Sequence, residues 1–293
     1  MKKAEIGVIG GTGVYALEGL EIIEKIYPDT PWGKPSDEIT IAAYTNGEKT
    51  LRIAFLPRHG KGHFITPSNI PQKANLAALK MLGVEEIIAF SAVGSLKEEI
   101  APGHFVLPTQ IIDRTRHRQD TYFDGSIVAH VSLADPFSKG LADILAESAR
   151  VSGVTLHREE TLICMEGPSF STRAESKLYK SWGAGIINMS VLPEARLARE
   201  LEMCYQMVCM STDYDAWREE EEAVEVDSVM AVVKTNSGKA QEILRNALPL
   251  LAQKHPLPGP AKKALSFGIM TNPEKQKPED REKMKQVLPH YFA

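Results

Sequence analysis

Ile187-Asn188-Met189-Ser190-Val191-Leu192-Pro193-Glu194 and, about ten residues on, Cys204-Tyr205-Gln206-Met207-Val208-Cys209-Met210-Ser211-Thr212-Asp213-Tyr214-Asp215 are the stretches on which the reading of this chain turns. The first offers a backbone turn, a hydroxyl and a carboxylate within a few residues. The second is an apolar run that ends on two acids separated by one residue. A short apolar run of this kind reads as a buried strand. Open α/β sheets hold their ligands at the carboxyl ends of such strands, so acids placed there are candidates for chemistry.

Working outward, strand and helix signals alternate along the chain. Ile6 to Ile9 reads as a first buried strand ending in Gly10-Gly11-Thr12-Gly13. Two strand-like runs, Glu38 to Tyr44 and Leu51 to Leu56, are separated by the hairpin signal Thr45-Asn46-Gly47-Glu48. Asn69 to Leu82 has helical periodicity and stops at Gly83. Glu86 to Ser91 is a buried strand, and Phe105 to Pro108 and Gln110 to Asp113 add further β pieces. Helices are expected over Phe137 to Ser152, Ser171 to Trp182 and Pro193 to Leu201, with one long helix or two shorter ones over Asp227 to Lys254. Strands are expected at Thr161 to Met165, Ile186 to Met189 and Tyr205 to Met210. The alternation predicts a single-domain, three-layer α/β fold over residues 1–254, its central sheet mixed and largely parallel between helices. Residues 255–293, broken by prolines and then mostly charged, read as a surface-running tail with a short helix.

Composition narrows the function. At 293 residues, 43% hydrophobic and 25% charged, the chain is an ordinary globular sequence with enough apolar material for a core. A formal net charge of −4 argues against a protein that neutralises a nucleic-acid backbone. The 3 cysteines, Cys164, Cys204 and Cys209, sit in apolar surroundings and read as small core residues in a reducing compartment. No signal peptide is visible, and no apolar stretch approaches the ~20 residues needed to span a bilayer. A cytoplasmic protein is the expectation.

Four strand-to-loop junctions carry residues suited to an anion or a planar ring. Gly10-Gly11-Thr12-Gly13 is a nest in which main-chain N–H groups face an anion. The rival reading is a dinucleotide site, because Gly11 to Ala16 matches G-x-G-x-x-A. That motif needs a helix and then a strand ending in an acid, and Pro28, Pro31 and Pro35 fall where the strand should be. In Pro57-Arg58-His59-Gly60-Lys61-Gly62-His63, Arg58 offers a planar fork for phosphate oxygens and His59 a second donor. His63 is assigned no role. Two histidines with glycines between them and no companion acid form no metal motif, and no metal is implied. Ser91 and Ala92 open the third junction. Glu166-Gly167-Pro168-Ser169-Phe170 is the fourth and projects a ring that can stack on a base.

From Ile6 to about Leu250 these strings, in order and spacing, resemble the trimeric purine nucleoside phosphorylase superfamily and, within it, the methylthioadenosine phosphorylases. Those carrying the likeness are Ile9-Gly10-Gly11-Thr12-Gly13, Pro57-Arg58-His59-Gly60, Ala92-Val93-Gly94-Ser95-Leu96, the run from Glu166 to Glu175, Ile187-Asn188-Met189-Ser190 and Thr212-Asp213-Tyr214-Asp215. The resemblance implies a phosphate site at Thr12, Arg58, His59, Ser91, Ala92 and Ser190. It implies ribose contact by Met189, a ring against the purine from Phe170, and tuning of base recognition by Ser171. Asp213 and Asp215 face the purine's N7 and 6-amino edge, with Asp213 preferred as proton donor and exchange of the two roles left open. The same resemblance puts Val226, Val229 and Met230 around the 5′ substituent, with Val226 where nucleoside-specific relatives tend to have histidine, and aligns His130 with a histidine that reaches the neighbouring subunit's site.

The implied reaction is phosphorolysis of 5′-methylthioadenosine to adenine and 5-methylthioribose 1-phosphate by a homotrimer. Inorganic phosphate is the co-substrate and no cofactor is needed. The implied partners are small molecules, with neither nucleic acid nor membrane among them. The alternatives are a methylthioinosine or general purine nucleoside phosphorylase, a non-catalytic nucleoside sensor on the same fold, and the NAD-dependent reading of the glycine loop.

Overall fold

The computed structural model describes residues 3–10, 19–218 and 226–292, with backbone only at 226–229. Its strands are β1 (Ile6–Gly10), β2 (Glu21–Ile26), β3 (Ile39–Asn46), β4 (Lys49–Pro57), β5 (Glu86–Ser95), β6 (Phe105–Arg114), β7 (Leu156–Met165), β8 (Ile186–Asn188) and β9 (Cys204–Asp213). The helices are α1 (Gln72–Met81), α2 (Lys139–Val151), α3 (Arg173–Ser181), α4 (Val191–Glu200), α5 (Val226–Lys254), α6 (Pro278–Lys285) and α7 (Pro289–Phe292). Among the described residues the strands make one 9-stranded mixed sheet in the order β2-β3-β4-β1-β5-β8-β7-β6-β9, with a further β5–β9 pairing that curls the second half back on itself.

The expected single α/β layer structure is what forms. Its sheet is parallel at β1–β4, β1–β5, β5–β9, β6–β7 and β7–β8. Alternation along β9 shows why the apolar run had to be a strand. Tyr205, Met207 and Cys209 pack into the core on one face, with α1 and α4, while Cys204, Val208 and Met210 pack into the core on the other, with α2 and α5. A strand buried on both faces has no polar side to show, so its sequence is almost wholly apolar. Cys164, Cys204 and Cys209 are free, buried thiols as expected, and desolvation raises the pKa of each, Cys164 to about 12.

Two regions differ from the sequence reading. β2 is an edge strand that pairs antiparallel with β3. Ile22 and Ile23 on it are exposed, so it carries no burial pattern by which it could be recognised. Its position also removes the dinucleotide reading: the strand after the glycine loop joins a hairpin instead of lying parallel to β1 after a crossover helix. Beyond Lys254, expected as a surface tail with a short helix, α6 and α7 place Met284, Val287, Leu288 and Phe292 in the main core. Buried carboxylates tie this segment down. Glu86 accepts from Leu257 N and lies 2.5 Å from His255 Nδ1, and Glu202 accepts from Leu265 N and Tyr291 Oη.

Candidate active site

At the carboxyl ends of β4 and β8, and against Phe90, Ser91 and Ala92 in the middle of β5, lies a cavity of about 470 Å³. Ser91 and Ala92, expected at a strand-to-loop junction, are inside the strand, because pairing with β9 carries β5 on to Ser95. Arg58, His59, Ser91, Ala92, Phe170, Met189, Ser190 and Met230 line the cavity, eight of the residues singled out from sequence. Arg58 follows the end of β4, and its backbone N–H donates to Gly10 O at 3.0 Å, which sets the start of the glycine loop beside it. Thr12 and residues 11–18 lie outside the described residues, as do the side chains of Val226 and Val229.

Arg58 is 2% exposed. Its Nε and Nη2 donate to the two carboxylate oxygens of Glu194 at 2.7 and 2.9 Å, and Nη1 donates to Phe90 O at 2.9 Å. Tyr205 Oη donates to the same carboxylate at 2.7 Å. A two-point pair of this kind fixes the guanidinium plane and compensates the charge that burial would otherwise make costly. Glu194, noticed in the sequence as a nearby carboxylate, thus serves the arginine.

His59 was expected as a second donor, and its surroundings reverse that. Its Nδ1 stands 2.8 Å from Ile65 O, a pure acceptor, so Nδ1 carries the ring proton. Burial, with Arg58, His63 and Arg118 nearby, holds its pKa down to about 4. At neutral pH the ring is uncharged and Nε2 is an acceptor. His63, given no role from sequence, stacks on it at 4.2 Å and lines the cavity too.

Ser91 and Ser190 meet because β5 and β8 run antiparallel, pairing Gly94 with Ile187. Their hydroxyl oxygens are 3.1 Å apart. Ser190 makes no capping bond to the helix it precedes, so its hydroxyl is left to the cavity.

Asp213 and Asp215 stand beside this lining, not in it. They pack at Gly94, where a side chain would crowd Asp213 Oδ1 at 3.1 Å and Asp215 Cβ at 3.2 Å. Both oxygens of Asp213 accept hydrogen bonds, one from Asp215 N at 2.8 Å and one from Thr212 Oγ1 at 2.7 Å. Asp215 is 9% exposed, has a φ of 45°, and its Oδ2 has no hydrogen-bond partner of good geometry. Burial raises its pKa, against the nearby hydroxyls of Ser176 and Ser171 and the Ala216 N–H, which act to lower it. Ser171 lies at this carboxyl and not in the cavity wall. A capping box between Thr172 and Glu175 opens α3 directly behind Phe170 and Ser171 and fixes where the ring leaves the backbone. Phe170 and Met230 are half-exposed at the cavity mouth. His130 is exposed and is absent from the cavity wall of its own chain.

Several functional neighbours escaped the sequence reading. Val233 and Ser237 continue the Met230 stripe of α5 one and two turns on, a helical spacing that would have found them. Arg118 gave no such signal, because it sits in a basic run that reads as a solvated face. Its side chain is 3% exposed. Nη1 donates to Met189 O and Leu192 O at 2.7 and 2.5 Å, and Nη2 to Glu166 O at 2.7 Å. It therefore ties the end of β7, which leads to Phe170, to the end of β8, which carries Met189. Glu166 completes the clamp. Despite its partial burial, hydrogen bonds from Ser68 and Arg116 N and the charge of Arg118 lower its pKa to about 2.

Known proteins resemble this chain in sequence and in fold. The sequence pattern of the phosphorylase superfamily matches residues 5–249. The S-methyl-5′-thioadenosine phosphorylase of Schizosaccharomyces pombe is 50% identical over 305 residues, covering 99% of this chain and 98% of that one. The S-methyl-5′-thioadenosine phosphorylase of Geobacter sulfurreducens is 44% identical over 287 residues, with 98% of each covered. Among solved structures, a methylthioadenosine phosphorylase from an antarctic soil metagenomic library superposes with a TM-score of 0.92 at 40% identity, covering 99% of this chain and 100% of that one. A variant of adenosine/methylthioadenosine phosphorylase from Schistosoma mansoni, in complex with methylthioadenosine, gives 0.79 at 31% identity with 98% of each chain covered.

Proposed function

This chain belongs to the phosphorylase superfamily, and from that premise we propose that it cleaves 5′-methylthioadenosine with inorganic phosphate, releasing adenine and 5-methylthioribose 1-phosphate. The observation that carries the reading is that Arg58, its guanidinium fixed by Glu194, lines one cavity with the Ser91 and Ser190 hydroxyls, while a buried carboxyl with a raised pKa stands at the Gly94 corner beside it.

Phosphate is held by Arg58, Ser91, the Ala92 backbone and Ser190, together with Thr12. His59 accepts a hydrogen bond from a protonated phosphate oxygen or a sugar hydroxyl. Met189 lies against the ribose and Phe170 against the purine. As the N-glycosidic bond breaks, negative charge collects on the leaving purine, and a carboxyl whose pKa is raised by burial is better suited than an ordinary one to deliver a proton to N7. Burial raises the pKa of Asp215. Asp213, whose oxygens already accept two hydrogen bonds, is the better acceptor for the 6-amino group. This assignment is the exchanged one. Phosphate then attacks an oxocarbenium-like C1′, so rate acceleration comes mainly from positioning and from placed charge. Around the 5′ substituent, Met230 with Val226 and Val229 favours a methylthio group over a hydroxyl.

The active form is a homotrimer in which His130 completes the neighbour's site. What supports this is its exposure and its setting: His130 N donates to Gly268 O at 2.9 Å, beside the exposed side chains of Phe267, Met270 and Val128. Apolar side chains gathered at a surface next to a polar contact residue are characteristic of an interface. Sedimentation velocity checks it, and a monomer that retains full activity refutes it. The products feed purine and methionine salvage, and the buried free thiols fit a cytoplasmic setting.

Phosphate-dependent release of the free base from methylthioadenosine, methylthioinosine, adenosine and inosine tests the whole reading. Methylthioadenosine is expected to give the highest kcat/KM. A preference of about tenfold for the 6-oxo substrate would overturn the assignment of the acid pair. A nucleoside sensor would release no base, and a dehydrogenase would bind NAD.

A further inference from the structure

Asn188, the last residue of β8, is 6% exposed and lies directly behind the two serine hydroxyls. Its Nδ2 has three acceptors in reach, Ser91 Oγ at 3.1 Å, Met207 Sδ at 3.3 Å and Ser190 Oγ at 3.4 Å; the thioether is the weak one, so the two amide protons go to the hydroxyl oxygens. Its Oδ1 faces two backbone donors, Ser190 N and Val191 N, each at 3.4 Å. Two N–H groups on one side settle the orientation of the amide: that side is the carbonyl oxygen, and the other is the NH₂.

An amide nitrogen only donates. A serine oxygen has one proton and two lone pairs, so each hydroxyl that faces Nδ2 spends a lone pair there and must direct its proton elsewhere. The two hydroxyls, 3.1 Å apart, share at most one proton between them. Ser91 also lies 3.0 Å from Ala92 O, an acceptor on which its proton rests when no anion is bound. With an oxyanion in the cavity, both protons have a stronger acceptor in front of them and a donor behind.

We propose that Asn188 is a positioning residue that turns the protons of Ser91 and Ser190 toward phosphate. The inference rests on reading those hydroxyls as phosphate ligands. It assigns to Asn188 control of anion binding without contact with the anion.

Asn188→Asp keeps the shape of the side chain and the acceptor for Ser190 N and Val191 N but replaces the donor by an acceptor. Both serine protons are then drawn backward, away from phosphate. The KM for phosphate should rise about a hundredfold while that for methylthioadenosine changes less than about threefold. Asn188→Ala, which only frees the hydroxyls to rotate, should raise the phosphate KM about tenfold. The order is the diagnostic. A purely structural role predicts that alanine, which leaves the two backbone donors unpaired, is the worse variant and that both substrates suffer alike, and either result overturns the proposal. If Asn188→Asp does not fold, a phosphate KM within about twofold of wild type in Asn188→Ala overturns it just as well. The double variant Ser91→Ala with Ser190→Ala separates the premise from the inference. Unchanged phosphate affinity there removes the phosphate site itself, whereas a large loss there with an inert Asn188 removes only the role of Asn188.

Discussion

At one end of the cavity Arg58 is gripped by Glu194 and the Phe90 carbonyl, Glu194 is held in turn by Tyr205, and Ser91 and Ser190 are braced from behind by Asn188. Beside the cavity, at the Gly94 corner, Asp215 sits at a φ of 45° with no hydrogen-bond partner for Oδ2, and Phe170 is half-exposed at the mouth. The first region is built from β4, β5 and β8 in the middle of the sheet, where Arg58, Glu194 and the two serines find partners inside one chain. The second is built after the last strand, where the chain turns toward the surface. An anion site works best when its donors are fixed beforehand. A proton donor needs the opposite: a buried acid short of partners, so that the neutral form is favoured.

The largest expected effects lie at the acids. Asp215→Asn should lower kcat by about 10²–10⁴ while leaving the phosphate KM nearly unchanged. Asp213→Asn should cost less turnover and act chiefly on discrimination between 6-amino and 6-oxo purines. Steady-state kinetics on both variants decide which acid carries the proton, and a larger kcat loss at Asp213 returns the roles to the order preferred from sequence alone. Next in size is a stability effect at the braced end. Glu194→Ala leaves a buried guanidinium and the Tyr205 hydroxyl without their acceptor and should destabilise the fold by about 3–5 kcal/mol, read from denaturant midpoints. Truncating Asp215 should have far less effect on stability, and equal losses would erase the contrast.

Arg118 joins the two ends, so Arg118→Met should raise the KM for both substrates together, by about 10–100-fold. An effect on one substrate alone would show that the two strand ends hold their positions without it. Phe170→Ala should raise only the nucleoside KM, by about fivefold to tenfold.

The smallest effect is a pH dependence of stability. The folded pKa of Asp215 lies above its unfolded value, so its contribution is fully present below about pH 4 and is lost as pH rises through the folded pKa. Asp215→Asn should therefore melt higher than the wild type at neutral pH and match it in acid. A gap that widens on acidification would mean that the carboxylate is stabilised in the folded protein.

Much of this was legible beforehand for a local reason. Alternation, apolar runs and the Asn46-Gly47 hairpin signal act over a few residues, so β9, the β3–β4 hairpin and α3 could be placed from sequence. Most of the binding strings are local too: those at Arg58, Phe170, Met189 and Asp215 follow strand ends, whereas Ser91 and Ala92 lie within β5. β2 was not legible, because an edge strand with exposed isoleucines has no face to mark. The docking of α6 and α7 escaped because the mostly charged run that includes α6 hides the few apolar residues that anchor it.

By itself, then, the sequence determined the α/β class, the strand ends and the residue types brought to them. Tertiary structure decided which of those residues act together. Arg58 and Glu194 are 136 positions apart, Ser91 and Asn188 are 97 apart, and both pairings exist because β5 lies between β1 and the strands β8 and β9. Burial, which makes His59 neutral and Asp215 reluctant to ionise, likewise depends on what the rest of the chain packs around them. Local propensity acts within a few residues along the chain, whereas solvent exclusion and charge act through space.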